Sequence, residues 1–143
     1  MSPMRRVILT LALIPLPLLA DPPQPGPTQP DLGPALTAAQ FDAYATGKTL
    51  SYALGSQVWG TEQYLQGRRV LWQALDEPCE YGTWYEQGGA ICFEYEANPD
   101  PNCWLFYQGP NGLIAQFVGG TGYLSEVSQS PEPLTCPGPM IGA

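Results

Sequence analysis

Residues 81–118 read YGTWYEQGGA ICFEYEANPD PNCWLFYQGP NGLIAQFV. Three turn signals divide this stretch: Gln87-Gly88-Gly89, Asn98-Pro99-Asp100-Pro101 and Gly109-Pro110-Asn111-Gly112. Each offers either a glycine that accepts positive φ or a proline with φ already set, which is what a chain needs to reverse direction in few residues. Between the turns lie short runs rich in aromatic and β-branched residues, the composition of strands. Short turns between successive strands predict antiparallel hairpins rather than crossovers.

The same rhythm continues on both sides. Turn signals recur every 8 to 12 residues or so from Gly47 onward, and Gly119-Gly120-Thr121-Gly122 adds a fourth clear turn. The pattern predicts strands at Thr49–Leu54, Gln57–Leu65, Arg69–Ala74, Tyr81–Glu86, Ala90–Glu96, Cys103–Gln108, Leu113–Val118 and Tyr123–Val127. About eight strands in an antiparallel meander form a mainly β domain. Such a sheet closes, fully or in part, into a small barrel, because closure removes exposed edges. Trp104 and Phe106 alternate with Leu105 and Tyr107, and Ile91 and Phe93 with Ala90 and Cys92, so these strands are apolar on both faces. A second cover is therefore expected: the helix described next, the tail from Pro131 to Ala143, a partner chain or a ligand.

One short helix precedes the strands. Thr37 and Gln40 make a T-x-x-Q capping box, Leu36 and Phe41 stand where a hydrophobic staple closes, and Gly47 ends the helix. The Gly47-Lys48-Thr49 triplet is not a phosphate loop, since that pattern needs a glycine five residues earlier and Asp42 stands there.

Ahead of the helix the chain changes character. Arg5 and Arg6 precede an apolar run of about 14 residues, Val7 to Ala20, too short to span a bilayer and followed by a plausible cleavage position at Ala20. Residues 1–20 read as a secretory signal peptide. Residues 21–35, DPPQPGPTQPDLGPA, read as an extended proline-rich linker that buries little apolar surface. Residues 36–143 then form one domain. No cysteine precedes Cys79, so no thiol is available for lipidation at the cleavage site, and the mature chain is expected to be released into the periplasm or outside the cell, with no membrane attachment.

Charge excludes some partners. The chain carries 13 acidic and 5 basic residues, a formal charge of −8. Cleavage after Ala20 would remove Arg5 and Arg6 and no acid, taking it to −10. Nucleic acid and anionic lipid need clustered Lys and Arg, which are lacking. A basic protein or a cation suits this charge better, and acidity also keeps an exported protein in solution.

The four cysteines, Cys79, Cys92, Cys103 and Cys136, are an even set behind a leader, which favours two disulfides. Their spacings of 13, 11 and 33, with no histidine in the chain, do not suit zinc. If the Asn98–Pro101 turn folds its flanking strands into a hairpin, Cys92 and Cys103 come opposite each other, leaving Cys79 to Cys136 to pin the tail across the sheet.

Gly60-x-Glu62-x-Tyr64, Arg68-Arg69-Val70-x-Trp72, Cys79-x-x-Gly82-x-Trp84-Tyr85, Ile91-Cys92-Phe93-x-Tyr95, Cys103-Trp104 and Cys136-x-Gly138-Pro139 together resemble a family of small uncharacterised secreted proteins of alphaproteobacteria. That resemblance covers the chain from about Phe41 and implies export, a β-rich fold and disulfides, with no activity attached. Gly82-x-Trp84 is also similar to the G-x-W of lipocalins. In that family the motif belongs to the first barrel strand and here it falls near the fourth, so the likeness is architectural.

No catalytic residues are expected. Without histidine, Ser-His and Cys-His nucleophile systems are absent. Glu94 and Glu96 share a strand face and read as solvated, while Glu62 is expected to pair with Arg68 or Arg69 in the next strand. The leading functional reading is a cofactor-free, non-catalytic module that encloses a small apolar ligand among Trp59, Trp72, Trp84, Phe93, Trp104 and Phe106, or whose aromatics simply make the core of a structural envelope protein. The alternative is an acidic protein-interaction module, for instance an inhibitor of a basic envelope hydrolase.

Overall fold

The computed structural model describes residues 31–136. The predicted signal peptide, most of the predicted linker and Pro137–Ala143 lie outside the described residues. Helix α1 (Ala38–Ala45) is followed by eight strands: β1 (Thr49–Leu54), β2 (Gln57–Leu65), β3 (Arg69–Ala74), β4 (Glu80–Gln87), β5 (Ala90–Tyr95), β6 (Asn102–Gly109), β7 (Gly112–Phe117) and β8 (Tyr123–Ser130). Every strand pairs antiparallel with the next, and β8 returns to β1, so the barrel is closed. Most predicted boundaries agree to within a residue, and β8 runs three residues further than expected.

In an up-and-down ring alternate turns gather at opposite ends. The β2–β3, β4–β5 and β6–β7 turns share one end with α1. The turns after β1, β3, β5 and β7 share the other. Glycines supply the positive φ these reversals need, at Gly88 (60°) and Gly89 (82°) for example. Arg68 and Asp76 adopt the left-handed region as well, with φ of 58° and 62°.

Helix α1 closes its end of the barrel. The capping box forms as the sequence predicts: Gln40 N–H donates to Thr37 Oγ1 at 3.2 Å and Thr37 N–H donates to Gln40 Oε1 at 2.9 Å. The chain is tied to the barrel just before the helix, where Leu36 N–H donates to the Phe106 carbonyl at 2.7 Å. Phe41, fully buried, fills the interior at this end, with its ring 4.4 Å from Phe106, 5.1 Å from Trp84 and 5.6 Å from Tyr64 between centroids. Tyr44 reaches the far wall, donating its hydroxyl to Glu126 Oε2 at 2.8 Å. That carboxylate also accepts the Leu113 N–H at 2.7 Å and Gln129 Nε2 at 3.0 Å. One buried acid thus joins the helix to β7 and β8.

Both disulfides form as expected. Cys92 and Cys103 are register partners on the outer face of β5 and β6. Cys79 and Cys136 join the β3–β4 turn to the segment after β8. That segment crosses the outer face of the first strands: Thr49 Oγ1 donates to the Glu132 carbonyl at 2.7 Å, and Leu134 N–H donates to Gln63 Oε1 at 3.0 Å. Of the covers considered for a second apolar face, the described part of the tail lies over β1 and β2 rather than over β5 and β6, and the helix seals an end.

Candidate functional site

The interior beyond Phe41 is incompletely filled. A cavity of about 150 Å³ opens at the end opposite α1 and is lined by Tyr52, Trp59, Glu62, Tyr64, Trp72, Phe93, Tyr95, Asn102, Trp104, Phe106, Ala115 and Leu124. Strand alternation puts these side chains inside: Glu62 and Tyr64 are two apart on β2, Phe93 and Tyr95 on β5, and Asn102, Trp104 and Phe106 on β6.

Two glycines shape the chamber. A Cβ on Gly60 would overlap the Trp72 ring and stand 2.7 Å from the Gln73 carbonyl. A Cβ on Gly82 would stand 2.7 Å from the Tyr95 ring. Each missing side chain leaves room for an aromatic ring of the neighbouring strand to approach the backbone closely. Trp59 reaches the chamber for another reason. The register between β1 and β2 passes from Tyr52↔Gly60 to Ala53↔Val58, so Trp59 is the extra residue of a bulge, and bulges redirect side chains. Its ring packs edge-on to Trp104 at 5.9 Å and remains 45% exposed at the mouth.

The hydroxyl, carboxyl and amide groups of the chamber belong to Tyr52 on β1, Glu62 and Tyr64 on β2, Tyr95 on β5 and Asn102 on β6. The Tyr52 and Tyr64 hydroxyls bond each other at 2.9 Å in full burial. Tyr95 donates its hydroxyl to Glu62 Oε1 at 2.8 Å. Glu62 is 4% exposed, and burial pushes its carboxyl up to about 8, against a smaller opposing effect of the Tyr95 hydrogen bond. Burial likewise raises Tyr52, Tyr64 and Tyr95 far above the usual phenol range, and the nearby Glu62 adds to it.

Glu62 corrects the sequence reading. It faces inward opposite Trp72, while Arg69 pairs with Leu65 at the helix end and Arg68 lies in the turn, with its guanidinium 4.5 Å over the Trp84 ring. An Arg–Glu62 ion pair therefore does not form. The alternation Gly60-x-Glu62-x-Tyr64 carries no apolar signal for an inward face, so the sequence points to an ion pair with the neighbouring arginines instead. Of the predicted ligand-binding residues, Trp59, Trp72, Phe93, Trp104 and Phe106 line the chamber. Trp84 does not. It is 2% exposed and lies in the core beneath Phe41 and Arg68. Tyr52, Tyr64 and Tyr95 are chamber residues that the aromatic count passed over. Glu94 points outward and accepts the Tyr85 hydroxyl at 3.1 Å. Among the described residues no group of three or more acids or cysteines is placed to hold a metal ion.

The rim of the chamber is both apolar and acidic. Leu54, Val58, Leu75, Phe117 and Val118 are exposed at strand ends and turns of this end. Asp76, Glu77, Glu80, Glu96 and Asp100 lie in or beside the same turns. The three described basic residues, Lys48, Arg68 and Arg69, all sit at the helix end. Comparison of the chain with protein-family models, curated proteins and solved structures gives no match.

Proposed function

We propose that the protein is a non-catalytic binding module that takes one small, largely apolar ligand through the open end of its barrel. The observation that carries this reading is the chamber of about 150 Å³ walled by Trp59, Trp72, Phe93, Trp104 and Phe106. An apolar cavity of roughly this volume accommodates a benzene-sized molecule, and drug-sized ligands need about 300 Å³ or more. The ligand class is therefore small molecules rather than lipids. Tryptophan fluorescence titration with fragment-sized compounds tests it: saturable quenching is expected, and Ala115→Leu, which fills part of the chamber, should weaken it. Saturation unaffected by Ala115→Leu, or none with any compound, counts against an internal site.

The compartment belongs to the same proposal. Disulfides Cys79–Cys136 and Cys92–Cys103 suit an oxidising environment, and the leader at 1–20 supplies a route to the periplasm or beyond. Fractionation of cells expressing the full chain, with the mature N-terminus sequenced, tests it. A cytoplasmic product with residues 1–20 intact would remove the export reading.

A second reading rests on the rim. Exposed Leu54, Val58 and Leu75 beside Asp76 and Glu77 offer an apolar patch framed by acids, the chemistry of a docking edge for a basic protein such as an envelope hydrolase. Inhibition of basic hydrolases that weakens with salt and is lost in Leu75→Arg would support it. Absence of binding across such a panel at low salt would end it.

A further inference from the structure

Among the chamber residues, Glu62 is the carboxyl, a group that a purely apolar ligand does not explain. It is a carboxyl, 4% exposed, on the inner face of a strand, with the Tyr95 hydroxyl as its hydrogen-bond partner through Oε1. The Tyr52 and Tyr64 hydroxyls share one hydrogen bond, in which one donates and the other accepts, and neither brings a charge to the chamber. The basic residues among those described are at the opposite end of the barrel.

Building on the binding reading above, we infer that the ligand is a small organic cation, an ammonium with short alkyl substituents, held between the Glu62 carboxylate and the rings of Trp59, Trp72 and Trp104. Three independent features agree on the sign of its charge. Aromatic faces carry negative electrostatic potential and attract a desolvated cation lying within about 6 Å of a ring centroid. The buried carboxyl supplies the counter-charge that such a cation needs once it leaves water. The acids of the mouth, with the bases at the far end, draw cations toward the opening and repel anions. A chamber of about 150 Å³ limits the guest to a few heavy atoms, the size of a methylated ammonium head.

Binding is then coupled to a proton. The groups around Glu62 are Tyr95 on β5, Tyr52 on β1, Tyr64 on its own strand, Trp72 on β3 and Asn102 on β6, with Glu80 near Tyr95 and Glu126 toward the helix end; β4, β7 and β8 present Gly82, Ala115 and Leu124. None of these is a base positioned to hold Glu62 ionised. Burial keeps it protonated at neutral pH, so the cation must displace the proton to solvent. Affinity should rise with pH until Glu62 is ionised without help.

The test is calorimetric titration of the full chain, disulfides intact, with choline and with 3,3-dimethylbutan-1-ol, its neutral carbon isostere. Choline should bind at least about tenfold more tightly than the isostere at pH 8.5. Its affinity should fall about tenfold per pH unit well below Glu62's transition, with proton release seen as a buffer-dependent heat. Glu62→Gln, checked by its thermal melt, should remove the preference and the pH dependence while the isostere still binds. Trp59→Ala, at the exposed mouth, should weaken choline more than the isostere. Equal binding of both probes, or a choline preference that survives Glu62→Gln, overturns the cation. Binding of the isostere alone, or of neither probe, overturns it too, and the apolar-ligand reading then stands or falls on the fragment titration described above.

Discussion

Glu62 is an acid that stabilises the folded chain only while it keeps its proton. Its carboxyl rises to about 8 in the fold from 4.5 unfolded, so between those values the folded state binds the extra proton. Stability therefore falls as pH rises through that window, with a slope approaching about 1.4 kcal/mol per pH unit, and levels off once both states are ionised. Urea unfolding from pH 5 to pH 9 should show this decline. Glu62→Gln, which has no proton to lose, should flatten it and be the more stable protein at pH 9. A wild-type profile as flat as the variant's would show that Glu62 titrates normally. Gly60 gives a steric counterpart. Its missing Cβ is space that the Trp72 ring occupies, so Gly60→Ala should cost roughly 1–3 kcal/mol by urea unfolding and shift tryptophan fluorescence as the wall is displaced. An unchanged midpoint would mean that Trp72 has room to move.

At the scale of elements, the strands were legible because their turns were: Gly88-Gly89, Pro110-Asn111 and Gly119-Gly120 use residues chosen for backbone conformation, and that information is local. The helix was legible for a similar reason, its Thr37–Gln40 cap lying within four residues. What the sequence hid is non-local. Trp59 lines the chamber because a bulge against β1 turns it, and a bulge is a property of two strands in register. The inward turn of Glu62 and the latch from Tyr44 to Glu126, 82 positions apart, depend equally on closure. Trp84 shows the converse: an aromatic among aromatics whose place, core or chamber, follows from the position of Phe41. The helix is predicted to be integral. Phe41→Ala removes the ring packed on Tyr64, Trp84 and Phe106 and should cost about 3–5 kcal/mol. It should also extend the cavity toward the helix end. A loss below about 1 kcal/mol in thermal or urea unfolding would make α1 a loose lid rather than a plug.

For the whole molecule, the two disulfides act over different distances. Cys92–Cys103 spans 11 residues within one hairpin, whereas Cys79–Cys136 spans 57 and ties the chain's end to the β3–β4 turn. Chain-entropy reasoning gives about 3 and about 4 kcal/mol as upper-end contributions. Cys136→Ala should therefore destabilise by roughly 2–4 kcal/mol and leave Cys79 titratable with a thiol reagent. A variant of wild-type stability would show that noncovalent contacts of the tail suffice.

The closing seam between β8 and β1 gives the barrel a temporal order. Seven of its eight strand pairings join neighbours in sequence, but Thr49 meets Ser130, the far end of the ring. During synthesis the hairpins can assemble as they emerge, while β1 stays an unpaired edge until the last strand arrives. Only then do both edges vanish, and only after Cys136 follows can the strap across β1 and β2 be locked. The chain is most vulnerable to sticking to its own copies in the interval before its final strand is delivered, and oxidation of Cys79 with Cys136 marks the end of that interval.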